Sequence, residues 1–496
     1  MYLLGYDIGS SSVKVALVDA QTGQTVAVAQ HPEQEMKIQA EQPDWAEQKP
    51  EDWWEAACLA TQTVLKQSGV SPAQIASLGI AYQMHGLVCL DMEGKVLRPA
   101  IIWCDSRAVS IGQAAFQSLG AKYCLEHYLN SPGNFTASKL RWIQENEPDL
   151  YSGIHKIMLP GDYIAYRMSG QMTTTTTGLS EGVLWDYTEN RPARALLEHW
   201  GISEQLLPDL APIYSNQGVL SAEAAAALGL RPGIVIGYRA GDQPNNALSL
   251  NVLQPGELAA TGGTSGVVYA VSEKPVFDPD QRINSFAHVN YTANQPNTGL
   301  LLCINGAGSL YRWLRELISE GNTRISYTDM EQMAARIAPG AEGLSILPFG
   351  NGAERMLQNQ NPGASVCFLN VNRHGKAHMV RAGLEGIAFA FLYGIQVFKQ
   401  LGVQASVIRV GNDNLFQSKV FATTIANLSG LRIDVYQTTG AVGAAKASGV
   451  SAGLYPDLAS AMSFHLEPVQ QIMPEQPDPR LEAAYERWLE LLPKPV

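Results

Sequence analysis

LLGYDIGSSSVKVALVD, from Leu3 to Asp19, is the most informative stretch of this chain. An apolar strand runs into Asp7 and a turn of glycine and serines, and an alternating strand follows from Val13 to Val18. Two strands joined by a short Gly/Ser turn predict a β-hairpin. The turn also offers small residues, hydroxyls and backbone N–H groups to an anion, beside a carboxylate that suits a hard metal ion. A plain surface hairpin explains the stretch equally well.

A second stretch, GELAATGGTSGVVYAVSE (Gly256 to Glu273), has the same order of strand, small-residue turn and β-branched strand. Helical and strand patterns alternate after each hairpin, for example a helix opened by Pro50 and the later strand SVIRVGN. Similar segments half a chain apart suggest an internal repeat, although coincidence is the alternative. The pattern predicts an α/β protein of two similar domains, 1–244 and 245–496, with a break near YRAGDQPNN. The run TTTTT, 173–177, predicts only a strand or a strand edge.

Composition limits the class of protein. At 496 residues the chain is too long for one core, and 46% apolar with 16% charged residues is typical of a globular enzyme. A net charge of −12 and the lack of any basic run argue against a nucleic-acid partner. Six scattered cysteines indicate reduced thiols in a cytoplasmic protein. The most apolar run, Ala382 to Phe398, contains Glu385 and is too short for a membrane span, so no membrane association is expected.

Several further segments carry a resemblance when they are taken together and in order. The chain resembles the FGGY carbohydrate kinase family, and within it the xylulokinase branch, over nearly its whole length. This implies a duplicated ribonuclease-H-like (actin-like ATPase) fold, with two domains and a central cleft. The segments are SPGNFTASKLRWIQENEP (131–148), YQMHG (82–86), RPAIIWCDSR (98–107), PDWAEQKPEDWW (43–54), NSFAH (284–288) and VRAGLEGIAFAF (380–391).

The resemblance implies that the two hairpins face each other across the cleft and hold the phosphates of ATP. Asp7 would hold Mg²⁺ through water, together with Asp242. The charge of Lys14 would suit negative charge that develops on the γ-phosphoryl oxygens, although a solvated strand residue is the alternative. The other residues expected to bind the nucleotide are Ser11, Ser12, Gly263, Thr264, Ser309, Gly411 and Asn412.

The segment GDQPNNA supplies the expected catalytic base, Asp242. Phosphoryl transfer needs a hydroxyl aligned with the γ-phosphorus and a proton acceptor within about 3 Å of it. A turn or cap residue is the structural alternative for Asp242. Gln243 is expected to orient a substrate hydroxyl. The Gly-Asp-Gln order is familiar from glycerol kinase, whereas xylulokinases more often have Asp-Asn.

The sugar is expected to contact residues of the first domain. Met84 would form an adaptable apolar wall, and His85 would offer a donor or an acceptor, although a histidine after a strand is often a structural residue. Trp103 could present an apolar face and Asp105 an acceptor. Packing or capping is the alternative role for both.

The adenosine side departs from the family pattern. A Gly-Gly-Gly turn is usual, but this chain has Gly411-Asn412-Asp413-Asn414. Asn and Asp tolerate positive φ better than other non-glycine residues, so the turn can survive. The segment GNGAERMLQ keeps Glu354 and Arg355 and lacks the usual Thr-Pro. Both changes bear on the affinity for the nucleotide.

The expected function is ATP- and Mg²⁺-dependent phosphorylation of the terminal hydroxyl of a ketopentose, with D-xylulose preferred. One alternative is a kinase for another sugar or polyol, such as ribulose or glycerol. A non-catalytic sugar- or nucleotide-binding regulator is another, and an actin-like ATPase is a third. The resemblance also leaves room for a homodimer.

Overall fold

The computed structural model describes residues 1–319, 324–412, 414–464, 466–476 and 478–494. The strands are β1 (Tyr2–Ile8), β2 (Val13–Asp19), β3 (Thr25–His31), β4 (Glu47–Gln48), β5 (Ile75–Tyr82), β6 (Val88–Leu90), β7 (Ala100–Ile101), β8 (Lys156–Met158), β9 (Thr173–Thr174), β10 (Trp185–Asp186), β11 (Arg191–Pro192), β12 (Asp209–Leu210), β13 (Val235–Gly241), β14 (Glu257–Gly262), β15 (Gly266–Ser272), β16 (Asn284–Ala287), β17 (Thr298–Ile304), β18 (Ser345–Leu347), β19 (Ser365–Cys367), β20 (Val407–Gly411), β21 (Ile433–Tyr436) and β22 (Gln470–Ile472).

The α-helices are α1 (Pro50–Ser68), α2 (Val109–Leu119), α3 (Ala121–Tyr128), α4 (Thr136–Asn146), α5 (Pro148–Ser152), α6 (Pro160–Ser169), α7 (Thr176–Glu181), α8 (Arg194–Trp200), α9 (Ala222–Leu228), α10 (Asp242–Ser249), α11 (Ala307–Ile318), α12 (Tyr327–Ala335), α13 (Lys376–Gln400), α14 (Lys419–Ser429), α15 (Gly440–Ser451), α16 (Leu458–Ser463) and α17 (Pro479–Glu490).

Two sheets organise the molecule, and each contains one of the predicted hairpins. The first has the strand order β13-β5-β1-β2-β3, and the second has the order β16-β17-β15-β14-β20-β21-β22. In the first sheet β2 pairs antiparallel with both β3 and β1, while β1, β5 and β13 run parallel. In the second sheet β15 pairs antiparallel with β17 and β14, while β14, β20 and β21 run parallel. The same order of pairings occurs twice, which confirms the predicted duplication.

Helix α15 belongs to the second half of the sequence, yet it packs on the first sheet. The approach needs glycine, because a Cβ at Gly5 would lie 1.8 Å from the carbonyl oxygen of Ala441. A Cβ at Gly79 would likewise lie 1.9 Å from the carbonyl oxygen of Ala444. The small residues of α15 therefore let the helix backbone lie directly against β1 and β5.

Local structure differs from the sequence expectation in the threonine run. Only Thr173 and Thr174 are in a strand, because the side chain of Thr175 accepts a hydrogen bond from the Gly178 N–H at 3.1 Å and starts α7. The segment YRAGDQPNN, near which the domain break is predicted, forms the end of β13 and the start of α10. The domain division at 244/245 stays a prediction.

The apolar run around Ala382 to Phe398 lies in α13, which is long and apolar enough to pass a length-and-composition test for a membrane span. Its most apolar window is 89% buried within the protein, so the helix belongs to the core of the second half. All six cysteines are free thiols.

Candidate active site

The turn of the first hairpin is held by neighbours on its outer side. The Gly9 N–H donates to the carbonyl of Ser12 at 3.0 Å, which closes the turn. The side-chain amide of Gln48 donates to the carbonyl of Ser10 at 2.7 Å, and the Met36 N–H donates to that of Ser11 at 2.8 Å. Three carbonyls of the turn therefore already accept hydrogen bonds from the protein, which suits a turn that binds an anion, because a carbonyl oxygen aimed at the anion would repel it.

A cavity of about 270 Å³ brings together predicted residues from three separate stretches. Its lining includes the turn from Gly9 to Ser12, the strand residues Asp7 and Lys14, and also Trp103 and Asp242. Asp7 and Lys14 are opposite each other in the β1–β2 register. The half-exposed Trp103 donates its indole N–H to the hydroxyl of Ser10 at 3.3 Å. The predicted residues of the first turn and the predicted base therefore share one cavity.

Asp242 is the first residue of α10 and directly follows β13. Its pKa is raised to about 7, mainly by burial and also by the charge of Asp7, while hydrogen bonds from Gln243 oppose the shift. The pKa of Asp7 is also raised by burial, while the charge of Lys14 lowers it. Two carboxyls close together in a poorly solvated site disfavour double ionisation, and a bound cation would relieve this repulsion.

The described residues contain no cluster of three or more His, Cys, Asp or Glu side chains that could hold a metal ion by themselves. A divalent ion at Asp7 and Asp242 would therefore need further oxygen ligands. Water and phosphate oxygens are the ligands that Mg²⁺ usually keeps in phosphoryl-transfer sites. The two carboxyls fit such an ion.

The turn of the second hairpin borders a cavity of about 480 Å³. The N–H groups of Gly308 and Ser309 donate to the carbonyls of Gly263 and Thr264 at 3.1 and 3.0 Å, so α11 supports the turn. A Cβ at Gly308 would lie 2.2 Å from the carbonyl oxygen of Gly263, which explains the glycine. The cavity is lined by Gly262, Gly263, Thr264, Gly308, Tyr311, Arg312, Tyr327, Thr328, Glu331, Leu415, Gln417 and Ser418.

The altered adenosine turn lies beside this cavity. The Asn412 N–H donates to the carbonyl of Tyr436 at 2.8 Å, and the side chain of Gln417, which lines the cavity, donates to the carbonyl of Asn412 at 3.4 Å. Gly411 ends β20 at this point. Asp413 lies outside the described residues.

Glu354, kept from the family pattern, supports the second turn from behind. Its carboxyl accepts hydrogen bonds from the N–H groups of Asn305 and Gly306 at 2.9 and 3.1 Å, immediately before α11. Its pKa is raised to about 7 by burial, although these two hydrogen bonds oppose the shift. Glu354 therefore positions the N-terminal end of α11 under the turn.

On the sugar side, Met84 is buried and His85 has a positive φ of 62°. The His85 ring packs on Phe135 and Phe286, with centroids 4.9 and 5.2 Å away, and its Nδ1 lies 2.8 Å from the carbonyl oxygen of Glu181. The pKa of His85 is lowered to about 3, mainly by burial and also by the charge of Lys139. The imidazole is therefore neutral near pH 7.

Asp105 is fully buried, and both of its carboxylate oxygens have protein partners. Oδ2 accepts from the Ala46 N–H at 2.6 Å and from Arg107 at 2.6 Å, while Oδ1 accepts from Arg107 at 3.0 Å. The Arg107 guanidinium in turn stacks over Trp45 at 3.8 Å. These contacts fix the loop that carries Trp103, and contact of Asp105 with the sugar stays a prediction.

Sequence reasoning missed Glu181, the last residue of α7. Its Oε1 accepts a hydrogen bond from the His85 N–H at 3.3 Å, and a Cβ at Gly241 would lie 2.3 Å from Oε2. Burial raises the pKa of Glu181 well above its usual value, the His85 bond opposes this, and the charges of Asp242 and Asp162 raise it further. An acid after a threonine run gives no local signal of such a position.

A duplicated fold that carries two phosphate-type turns, with a buried carboxyl at a helix start beside one of them, defines a two-domain phosphotransferase. The N-terminal and C-terminal domain patterns of the FGGY family of carbohydrate kinases match residues 2–249 and 258–452. The chain belongs to this family and is an ATP-dependent sugar kinase, which confirms the predicted family, fold and enzyme class.

Individual relatives agree with this assignment. The chain is 32% identical to a xylulose kinase of Klebsiella pneumoniae, over 90% of this chain and 88% of the relative. It is 30% identical to a xylulose kinase of Escherichia coli K12, over 99% of both chains. A crystal structure named "xyloylose kinase" from Brucella ovis superposes with a TM-score of 0.88 at 25% identity, covering 99% of this chain and 98% of the other.

Proposed function

We propose that the protein transfers the γ-phosphoryl group of ATP to the terminal hydroxyl of a ketopentose, with D-xylulose as the preferred substrate. The observation that carries the proposal is the position of Asp242, a buried carboxyl with a pKa of about 7 that lines the same cavity as the first phosphate turn. Relatives over nearly the full length that are named xylulose kinases support the choice of sugar.

In the proposed mechanism Asp242 accepts the proton of the attacking hydroxyl. A base with a pKa near the working pH serves this purpose well, because it is largely ionised yet still basic. Lys14 lies across the hairpin register from Asp7 and lines the same cavity as Asp242. It would stabilise negative charge on the transferred group. Closure of the two halves on the sugar would exclude water and prevent wasteful hydrolysis.

Mg²⁺ is part of the proposal. Asp7 and Asp242 would hold the ion, with water and phosphate oxygens completing its coordination. Bound there, Mg²⁺ would neutralise charge on the nucleotide phosphates. It would also lower the pKa of both carboxyls, since an adjacent cation favours their ionised forms.

The remaining nucleotide contacts are proposed in the same way. Ser11, Ser12, Gly263 and Thr264 would bind phosphates through the two turns, while Ser309, Gly411 and Asn412 would border the nucleoside. A cytoplasmic location, a homodimer and the 1–244 and 245–496 division are further proposals that rest on the same family membership.

The test is a panel of ketoses and polyols in a coupled assay for ADP release, with xylulose, ribulose and glycerol as the first three substrates. We expect D-xylulose to give the highest kcat/KM, and the Asp242→Ala variant to lose nearly all sugar-stimulated ADP release. Higher kcat/KM with glycerol would favour the alternative that the Gly-Asp-Gln order suggests. Sugar binding without any binding of Mg-ATP at millimolar concentration would instead indicate a regulator.

A matched control for Asp242→Ala is Asp209→Ala. Asp209 is an exposed residue at the start of the edge strand β12, and its side chain does not line the catalytic cavity. This variant should keep wild-type turnover. Wild-type turnover in the Asp242→Ala variant would contradict the assignment of the base.

A further inference from the structure

Glu181 is fixed in place from both halves of the molecule. Its neighbour Ser180 accepts a hydrogen bond from the Ala287 N–H on β16 at 2.8 Å, and its hydroxyl also bonds to that of Tyr187 at 2.5 Å. The short helix α7 therefore bridges the first half and the second sheet. The Glu181 carboxyl, at the end of this helix, therefore has little freedom to move.

The two oxygens of the Glu181 carboxyl have different surroundings. Oε1 accepts the His85 N–H, whereas Oε2 has no hydrogen bond with any residue that the structure describes. Oε2 instead lies against the backbone of Gly241 beside Met84, since a Cβ at Gly241 would meet Oε2 at 2.3 Å and the Met84 Cγ at 2.6 Å. The side chain is only 1% exposed. Oε2 is thus an acceptor without a partner among the described residues, and it lies between Met84 and Gly241, the residue before the base.

Nearby cations are already committed to other groups. The Lys139 ammonium donates hydrogen bonds to the carbonyls of His85 and Ile102, both at 2.9 Å. Arg239 pairs with the buried Asp162 at 3.0 Å. Glu181 has no ion pair within the described ranges, and a buried carboxyl without a cation is costly unless hydrogen-bond donors reach it. The hydroxyl groups of a sugar are such donors.

We propose that Glu181 is a specificity-determining residue of the sugar site, whose Oε2 accepts a hydrogen bond from a substrate hydroxyl other than the phosphorylated one. The inference rests on the proposed function, because it takes the sugar to occupy the space beside His85 and Asp242. It also limits the substrate class to neutral polyhydroxy compounds. A sugar acid would bring its carboxylate next to the carboxyls of Glu181, Asp162 and Asp242, which would repel it.

Glu181→Gln separates this role from a structural one. Glutamine has the same size and keeps an oxygen that can accept the His85 N–H, but it presents an NH₂ group where Oε2 accepted the sugar hydroxyl. We expect the KM for D-xylulose to rise about 3- to 10-fold, the loss typical of one hydrogen bond, with the KM for ATP unchanged. The rank order of the ketose panel should change as well.

Glu385→Gln is the matched control. Glu385 is about as deeply buried, and it also accepts a hydrogen bond from a backbone N–H, that of Gly340, at 3.0 Å. Unlike Glu181, it forms an ion pair with Arg381, one turn earlier on α13. Its substitution should lower the melting temperature and leave the sugar KM as in the wild type. A Glu181→Gln protein with a wild-type KM and a wild-type rank order would overturn the proposal.

A second measurement needs no variant. D-xylonate, a sugar acid of the same chain length, should be neither phosphorylated by the wild type nor an inhibitor at concentrations near the KM of D-xylulose. Turnover of D-xylonate, or competition at that level, would overturn the proposal even if Glu181→Gln failed to fold. If another neutral polyol replaces D-xylulose as the best substrate, the proposed function fails, and the same comparison with that polyol still decides the role of Glu181. If no sugar is phosphorylated, calorimetric measurement of sugar binding to the wild type and to the Glu181→Gln variant decides the role of Glu181.

Discussion

Replacing the proposed base, Asp242→Asn, should make the metal-free protein more stable while abolishing its activity. The native pKa of Asp242 is about 7 against 3.8 for the free side chain, and burial is the main cause. Ionised Asp242 therefore costs the native state about 1.4 kcal/mol for each unit of this shift, a ceiling of about 4 kcal/mol at pH 8. Asparagine has nearly the same shape and no charge, so it removes this cost.

The sign of the effect depends on pH. For an acid with a raised native pKa, the cost is absent below about pH 4, grows between pH 4 and pH 7, and is complete above pH 7. The stability gap between Asp242→Asn and the wild type should therefore widen by about 2 kcal/mol between pH 5.5 and pH 8. For a cooperative unit of about 250 residues this is about 4–8 °C in melting temperature.

The assay is thermal unfolding of both proteins in EDTA at the two pH values, with turnover of D-xylulose measured in parallel. Asp105→Asn serves as the opposite control, because it breaks a buried pair with Arg107 and should lower stability by about 3–5 kcal/mol. An Asp242→Asn protein that is less stable than the wild type at pH 8 would refute this reasoning. So would a stability difference between the two proteins that narrows as pH rises.

Three further changes test other parts of the site. Gly308→Ala should force the second turn away from α11, because the new Cβ would clash with the carbonyl of Gly263, and it should raise the KM for ATP at least tenfold without changing the KM for the sugar. Lys14→Met should lower kcat about 10²- to 10³-fold with little change in the melting temperature, since Lys14 is exposed. Gly5→Ala should destabilise the protein by at least about 2 kcal/mol in urea unfolding, because a Cβ cannot fit against α15. A Gly308→Ala enzyme with a wild-type KM for ATP, a Lys14→Met enzyme with wild-type kcat, or an unchanged unfolding midpoint for Gly5→Ala would each contradict its argument.

The hairpins and the fold were predictable because their signals are local. A strand, a Gly/Ser turn and an alternating strand identify Asp7 and Lys14 as neighbours within a few residues of sequence, and the second hairpin repeats the pattern. Asp242 has no such local signal, and the family resemblance identified it. Family resemblance then supplied the roles that a local pattern cannot give.

Glu181 was not predictable, because its environment is created by contacts distant in sequence. It meets the His85 N–H across 96 positions of the chain and the backbone of Gly241 across a further stretch. Asp105 differs from Glu181, because its partner Arg107 is only two residues away in the sequence. There the residue types alone could not distinguish a sugar contact from a buried ion pair, and burial distinguishes them only in the folded protein.

The two carboxyls of the site lie where the halves of the molecule are joined. Asp242 starts α10, which leads from the first sheet toward the second, and Asp7 ends against the start of α15, since a Cβ at Gly440 would lie 3.0 Å from its Oδ2. Asn245 on α10 donates to the carbonyl of Gly440 at 2.9 Å and ties the two helices together. Any rotation of one half of the molecule relative to the other would therefore displace α10 or α15, the helices that carry Asp242 or contact Asp7. Closure on a sugar, which is part of the proposed function, would therefore act on helices that contact the base and the Asp7 carboxyl.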